Sequence, residues 1–234
     1  MPQTPSVIVF DVNETLLDIT VLEPLFARLF SDASVMRQWF AELILQSEAL
    51  TLSGLYVRFD ELTAGVLRMV GDVRRVSVQR SDVEELGTLL RTMPAHPDAA
   101  PALAMLKQSG FRLVTLTNSP PPAAPSPLER AGLASFFDRT YSVDQVRRFK
   151  PAPETYRMVA EGEGVLPADL CLVACHVWDT VGAQAAGCVT GLVERSGNAA
   201  LRAEGVPFPD IVAADLQTLA TELVHRWGRS ALDR

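Results

Sequence analysis

The stretch Val7-Ile8-Val9-Phe10-Asp11-Val12-Asn13-Glu14-Thr15-Leu16 decides the fold. Four β-branched and aromatic residues in a row form an apolar run that stops abruptly on an aspartate and turns through polar residues. Such a run suits a buried strand. An acid in that place sits at the carboxyl end of the strand, where open α/β sheets carry their sites. The turn around it supplies backbone N–H groups and the protein excludes much of the water, so the carboxylate is suited to act as a nucleophile. For the decapeptide alone, an acidic turn residue after an edge strand is the plainer alternative.

Further apolar runs of strand length recur at Arg112 to Leu116, Arg139 to Val143, Leu170 to Ala174, Thr190 to Glu194 and Ile211 to Ala214, with helical patterns between several of them. This alternation predicts a parallel, doubly wound sheet with helices on both faces. Between the first run and the second, however, lie about a hundred residues without a comparable signal, far beyond an ordinary connection, so an inserted helical domain is expected. Within it, Ser34 to Leu45 places Met36, Trp39, Phe40 and Leu43 on one face. A second helix carries Tyr56, Phe59, Leu62, Val66 and Met69, and a third carries Val83, Leu86, Leu89 and Leu90. Pro94, Pro97 and Pro101 mark the return to the core. The expected division is a Rossmann-like α/β core over residues 1–15 and 96–234, with a helical cap over 16–95. Ser119 to Pro127 holds five prolines in nine residues and reads as a surface loop.

Composition narrows the function. The 234 residues are 48% hydrophobic and carry a net charge of −7, with mean hydropathy +0.15 and pI near 5.0. No apolar run approaches the ~18 residues of a membrane span. The acidic balance offers no field for nucleic acid or anionic lipid. The amino terminus lacks a basic lead and its apolar run is broken by Asp11, so a cytoplasmic address is expected. The expected partner is a small anionic substrate, with neither nucleic acid nor membrane; a homodimer stays open. Cys171, Cys175 and Cys188 lack the spacing of a zinc site and read as reduced thiols. Cys175 and His176, as neighbours in a loop, are expected to point apart. His96 and His225 lie outside every motif and are assigned to the surface or to cap contacts.

Three later stretches join the first. Leu113 to Ser119 is a second strand that ends in Thr117 and Asn118, whose polar groups and backbone N–H donors suit an anionic oxygen. Phe149-Lys150-Pro151 holds a lysine just before a helix start, with Tyr156 six residues on; a lysine there keeps a nearby aspartate ionised. Leu172 to Asp179 is the last, with Gly182-Ala183 bringing the following helix close against the sheet.

Asp, then Thr/Asn, then Lys, then Asp at four successive strand ends resembles the haloacid dehalogenase superfamily, over nearly the whole chain and with the cap insertion included. The superfamily's phosphatases carry a second aspartate two residues after the nucleophile as general acid, and usually a pair of acids near the last motif for magnesium. Here those positions hold Asn13 and, beside Asp179, Cys175. An amide donates no proton to a leaving alkoxide, and fewer carboxylates hold magnesium poorly. Halide leaves without a proton. The pattern therefore looks like the metal-free branch, the L-2-haloacid dehalogenases, and implies no cofactor; magnesium enters only under a phosphatase alternative.

The resemblance implies Asp11 as nucleophile, Thr15 as its hydrogen-bonding support and Lys150 as its ionic partner. Asp179 then helps activate the hydrolytic water, and His176 is either a second base or an oriented polar loop residue. Thr117 and Asn118 bind the substrate carboxylate and Tyr156 orients the lysine region. Val12, Asn13, Trp39, Phe40 and Trp178 complete the substrate contacts. The branch's halide-binding cap arginine falls at Phe40, so either Arg37, one helical turn away, substitutes or the wall is apolar. The serine and asparagine usual before Trp-Asp are replaced by Ala174 and His176. The expected reaction is hydrolysis of a short 2-haloacid to a 2-hydroxyacid through an aspartyl ester. The alternatives are a magnesium-dependent phosphatase, or a catalytically weak binding protein that retains the fold.

Overall fold

The computed structural model describes residues 4–121 and 125–228. Pro122 to Ala124, within the proline-rich segment, lie outside the described residues, as do the first three residues and the last six, so the readings made on them stop there. Six parallel strands form one sheet in the order β3-β2-β1-β4-β5-β6: β1 (Val7–Phe10), β2 (Arg112–Thr117), β3 (Arg139–Ser142), β4 (Leu170–Ala174), β5 (Val189–Val193) and β6 (Ile211–Ala213). Every residue of β1 and of β4 is buried, which is why both read as unbroken apolar runs rather than alternating ones.

The chain starts in the middle of the sheet, fills one side through β2 and β3, and then returns to lay β4 against the other edge of β1. Phe10 pairs in register with Thr115 of β2 and with Val173 of β4. The residues after these three strands therefore emerge together at the topological switch point, where an open α/β sheet leaves a crevice. Helices α5 (Ala99–Gln108) and α9 (Leu216–Trp227) pack on one another, as do α7 (Pro153–Glu163) and α8 (Val177–Ala185). Right-handed crossovers put the two pairs on opposite faces.

Between β1 and β2 the chain folds into the helical cap: α1 (Glu23–Phe30), α2 (Val35–Leu52), α3 (Phe59–Arg74) and α4 (Arg80–Arg91). The first of these escapes the sequence reading because eight residues give barely two turns of periodicity. Its Leu25 and Phe26 are nonetheless buried, with Phe26 packed on Trp39 at 5.3 Å between ring centroids. The helix over Ser34 to Leu45 runs a further two turns, to Leu52. The chain leaves and re-enters the core through a short stem, where Asp18 N–H donates to Pro94 O (2.8 Å) and His96 N–H to Leu16 O (2.9 Å). Arg195 ties that stem to the core by a bidentate pair with Asp98 (2.8 and 2.9 Å) and by a bond to Thr15 O (2.9 Å).

The remaining short helix, α6 (Pro127–Arg130), begins on a capping box between Ser126 and Glu129 and follows the proline-rich segment. No helix among the described residues is long and apolar enough to cross a membrane.

Candidate active site

Asp11 ends the sheet's central ladder: its N–H donates to Val173 O at 3.0 Å, and Val12 and Asn13 then turn away. Its carboxylate is buried and held on both oxygens. Lys150 Nζ donates to Oδ1 at 2.7 Å, and Thr15 Oγ1 donates to Oδ2 at 2.7 Å. Thr15 in turn accepts from Cys175 N–H at 3.0 Å, so its hydroxyl proton is left for Asp11. Burial alone would raise the Asp11 carboxyl, but Lys150 and His176 outweigh it and hold it well below the usual carboxylate range. A nucleophile that must be an anion is thereby ionised throughout the neutral range.

Lys150 is 1% exposed. Besides Asp11 it donates to Asp179 Oδ2 at 2.6 Å and Leu116 O at 3.2 Å, which saturates its three N–H bonds. Burial works against its charge, yet the two carboxylates raise it above the ordinary lysine value. Asp179 is fully buried, and burial keeps its carboxyl above the ordinary range despite Lys150. Its other oxygen accepts from Tyr156 Oη at 2.7 Å. Asp179 is thus held on both oxygens, by Lys150 and Tyr156. Tyr156, 1% exposed, bonds to Asp179, the carboxylate that holds Lys150, and has no contact toward the substrate space.

The segment carrying Lys150 is set from two sides. Asn118 Oδ1 accepts from Lys150 N–H at 3.0 Å, so half of an amide expected at the substrate is used to place the lysine. Thr117 Oγ1 accepts from Ser119 N–H at 3.1 Å. On the other side α8 packs so closely that a Cβ added at Gly182 would lie 2.3 Å from Pro151 Cβ and 2.7 Å from its carbonyl oxygen. Gly182→Ala must push Pro151, and Lys150 with it, away from Asp11. The expected outcome is a loss of about 1–3 kcal/mol in stability, as for other overpacked sites, together with a fall in turnover; a thermal melt and a rate measured on the same preparation check both.

The fourth strand end brings in His176, 4% exposed. Its ring is stacked on Trp178 (4.9 Å, 15°) and covered by Phe40 of the cap (5.4 Å, 31°). Nδ1 lies 3.2 Å from Asp11 Oδ2, too poorly aligned to count as a hydrogen bond, and has no partner among the described residues. Nε2 lies 2.9 Å from Glu14 Oε2. Cys175 and His176 do not point apart: a donor atom of each and one of Asp11 lie within 4.8 Å of one another. Burial pushes the Cys175 thiol up, leaving it neutral.

Glu14 is the residue the sequence reading missed. It sits in the left-handed region at φ 66°, an uncommon place for a side chain of its type. Its carboxylate accepts from His176, from Asn198 Nδ2 at 2.9 Å and from Arg37 Nη1. Arg37 also donates to Ser196 O at 2.8 Å. The expectation that Arg37 faces the halide is therefore corrected: its guanidinium is committed to Glu14, on the far side of His176 from Asp11. His96 is not a bystander either, since its Nε2 lies 3.0 Å from Glu14 O. His225 is exposed, as expected.

Above Asn13 and Ser119, whose side chains touch at 3.5 Å, opens a cavity of about 350 Å³ between core and cap. Trp39, Phe40, Leu43, Phe59 and Leu86 line it, and Arg58 and Arg91 are the cations along it. Its wall at Phe40 is apolar.

Magnesium does not fit the residues present. The Lys150 ammonium bridges Asp11 and Asp179, the two carboxylates a cation would need, and Cys175 stands where a further acid would lie. A second positive charge there has no free carboxylate oxygen pair to meet.

The chain is similar in sequence and in fold to known proteins. A relative from Burkholderia cepacia, (S)-2-haloacid dehalogenase 4A, is 28% identical over 192 residues, covering 81% of this chain and 83% of its own. The (S)-2-haloacid dehalogenase of Xanthobacter autotrophicus is 28% identical over 199 residues, covering 84% and 78%. The structure of the L-2-haloacid dehalogenase from Xanthobacter autotrophicus with chloropropionic acid covalently bound superimposes with a TM-score of 0.83 at 26% identity, over 95% of this chain and 98% of that one. Residues 5–187, which include Asp11, Thr117, Lys150 and Asp179, match the family model of the haloacid dehalogenase-like hydrolases; the chain belongs to that family.

Proposed function

We propose that the protein hydrolyses short L-2-haloacids to 2-hydroxyacids through an ester on Asp11, without a metal. The observation that carries this reading is the Lys150 ammonium fixed between Asp11 and Asp179. It keeps Asp11 anionic, while Asn13 and Cys175 stand where phosphatases of this fold carry a general acid and a second acid near the last motif. The relatives' names add the substrate class.

In the first step an Asp11 oxygen attacks the halogen-bearing carbon from the rear. The carbon–halogen bond breaks with its electron pair going to the halide, which needs no proton. Attack from the rear inverts the stereocentre. Val12 and Asn13, past the last sheet bond, and the ends of β2 at Thr117 and Asn118 offer N–H and side-chain donors for the substrate carboxylate. Trp39, Phe40 and Trp178 supply an apolar surround that strengthens these interactions by excluding water. In the second step water attacks the ester carbonyl and releases the 2-hydroxyacid.

The test is a panel of (S)- and (R)-2-chloropropionate, chloroacetate and p-nitrophenyl phosphate, assayed for halide and phosphate with and without EDTA. Halide release from the (S)-substrate, unaffected by chelator and giving (R)-lactate, is expected. Phosphate release that chelator abolishes, with no halide, would overturn the reading.

A further inference from the structure

Glu14 and its neighbours form a chain of contacts from the cap to the nucleophile: Arg37 to Glu14, Glu14 to His176, His176 to Asp11. An ionised carboxylate only accepts, so the proton between Glu14 Oε2 and His176 must be on Nε2. Glu14 is kept ionised: burial would raise its carboxyl, but His176 and Arg37 lower it below the ordinary value. With Nε2 protonated, the neutral imidazole has its lone pair on Nδ1, the atom that faces Asp11 without a partner. Trp178 and Phe40 stop the ring from tilting and Glu14 stops it from turning over.

We propose that Glu14 is a positioning residue that fixes His176 in the Nε2–H form, so that Nδ1 takes a proton from the water that hydrolyses the Asp11 ester. This rests on the reaction proposed above. Water oxygen bonds to the ester carbonyl carbon, and one water proton passes to Nδ1. The tetrahedral adduct collapses, breaking the bond to the 2-hydroxyacid oxygen, which takes that proton back from Nδ1. The remaining hydroxyl proton leaves to solvent as Asp11 ionises again beside Lys150.

The arrangement also times the base. His176 faces the Asp11 and Glu14 carboxylates and the neutral Cys175 thiol; Arg37, Lys150 and Asp179 lie one contact farther. In the free enzyme burial disfavours its charge, but its contacts with Cys175 and with the Asp11 and Glu14 carboxylates push the imidazole above its ordinary value. Esterification makes Asp11 neutral. One of the two anions is gone, which lowers the imidazole again, so that any proton on Nδ1 passes to solvent and a neutral base stands ready.

The experiment uses the full chain and (S)-2-chloropropionate. Glu14→Gln should leave the single-turnover halide burst within about twofold of wild type and slow hydrolysis of the ester at least about tenfold, the effect of one charged hydrogen bond. Intact-mass measurement should show the adduct accumulating. The acid limb of ester hydrolysis should move to lower pH by about a unit, because the imidazolium loses an anionic neighbour, whereas a merely loosened site would slow the reaction without moving the limb. Glu14→Asp should restore part of the hydrolysis rate.

Should Glu14→Gln fold poorly, nitrogen-15 NMR of the three histidines in wild type and Asp11→Asn provides the second measurement. Asparagine mimics the uncharged ester, and His176 should titrate lower there and as the Nε2–H form. Unchanged ester hydrolysis in Glu14→Gln, or an Nδ1–H form of His176 in Asp11→Asn, overturns the proposal. Absence of any halide burst or adduct in the wild type instead overturns the reading of the reaction.

Discussion

Asp11→Asn is expected to release no halide from any 2-haloacid while keeping its cooperative melt. The amide has nearly the shape of the carboxylate but almost none of its nucleophilicity, and the neighbouring carboxylates are already engaged, Asp179 by Lys150 and Tyr156 and Glu14 by His176, Asn198 and Arg37. The fold survives because Lys150 keeps Asp179 as a partner and so is not left as an unpaired buried charge. Thr15 and the sheet bond of residue 11 to Val173 remain available to an asparagine. Halide release by ion chromatography and a thermal melt read the two halves of this expectation. Turnover near the wild-type rate would remove Asp11 from the chemistry.

Lys150→Met is expected to damage both activity and stability, and in a pH-dependent way. The ammonium sits at 2.7 and 2.6 Å from two buried carboxylates; removing it leaves both unpaired, at a cost of about 3–5 kcal/mol near neutral pH. In the wild type Asp11, with its lowered carboxyl, contributes stability above the unfolded value of about 3.9 that is lost as pH falls. Lys150, raised, contributes stability below the unfolded value of about 10.4 that is lost as pH climbs through its folded value. Asp179, raised, works the other way to Asp11. Without the lysine, burial raises both carboxyls above their unfolded values, so the folded variant binds the extra protons and loses stability as pH rises. The gap in melting temperature between the two proteins should therefore widen from pH 5 to pH 8. With Asp11 partly protonated, kcat/KM should fall by about 10- to 100-fold at neutral pH. A gap that stays constant with pH, or unchanged kinetics, would mean that Lys150 does not hold these acids.

Much of the architecture was legible because parallel strands buried on both faces leave long apolar runs, and because the acids and the lysine stand at or after the ends of those runs. Asp11, Lys150 and Asp179 are separated by 139 and 29 positions along the chain; Asp11 directly follows β1, whereas Lys150 lies in the connection after β3 and Asp179 in the first turn of α8. What the sequence does not mark is where a side chain finds its partner. Tyr156 stands six residues past Lys150, in the first turn of α7, and only the fold shows that it meets the lysine through Asp179. Arg37 lies on the correct helix for a cap cation, yet its guanidinium is claimed by Glu14 and by a carbonyl 159 positions away. Glu14 itself had no signal beyond being an acid inside a turn. Its role depends on a left-handed backbone and on the loop at Ser196 to Asn198, and neither is written in the periodicity of nearby residues. The side chain of Phe40 was legible as an apolar wall; that it would cover His176 was not.

The central claim is that Asp11 carries the substrate as an ester that water then opens at the aspartate carbonyl. The most direct measurement is a single turnover in oxygen-18 water with enzyme in excess over (S)-2-chloropropionate, followed by mass analysis of both lactate and the peptide containing Asp11. The account predicts unlabelled lactate, its hydroxyl oxygen drawn from Asp11, and one oxygen-18 atom in the carboxylate of Asp11. Lactate carrying the label in that first turnover, with Asp11 unlabelled, would mean that water attacks the substrate directly and would contradict it.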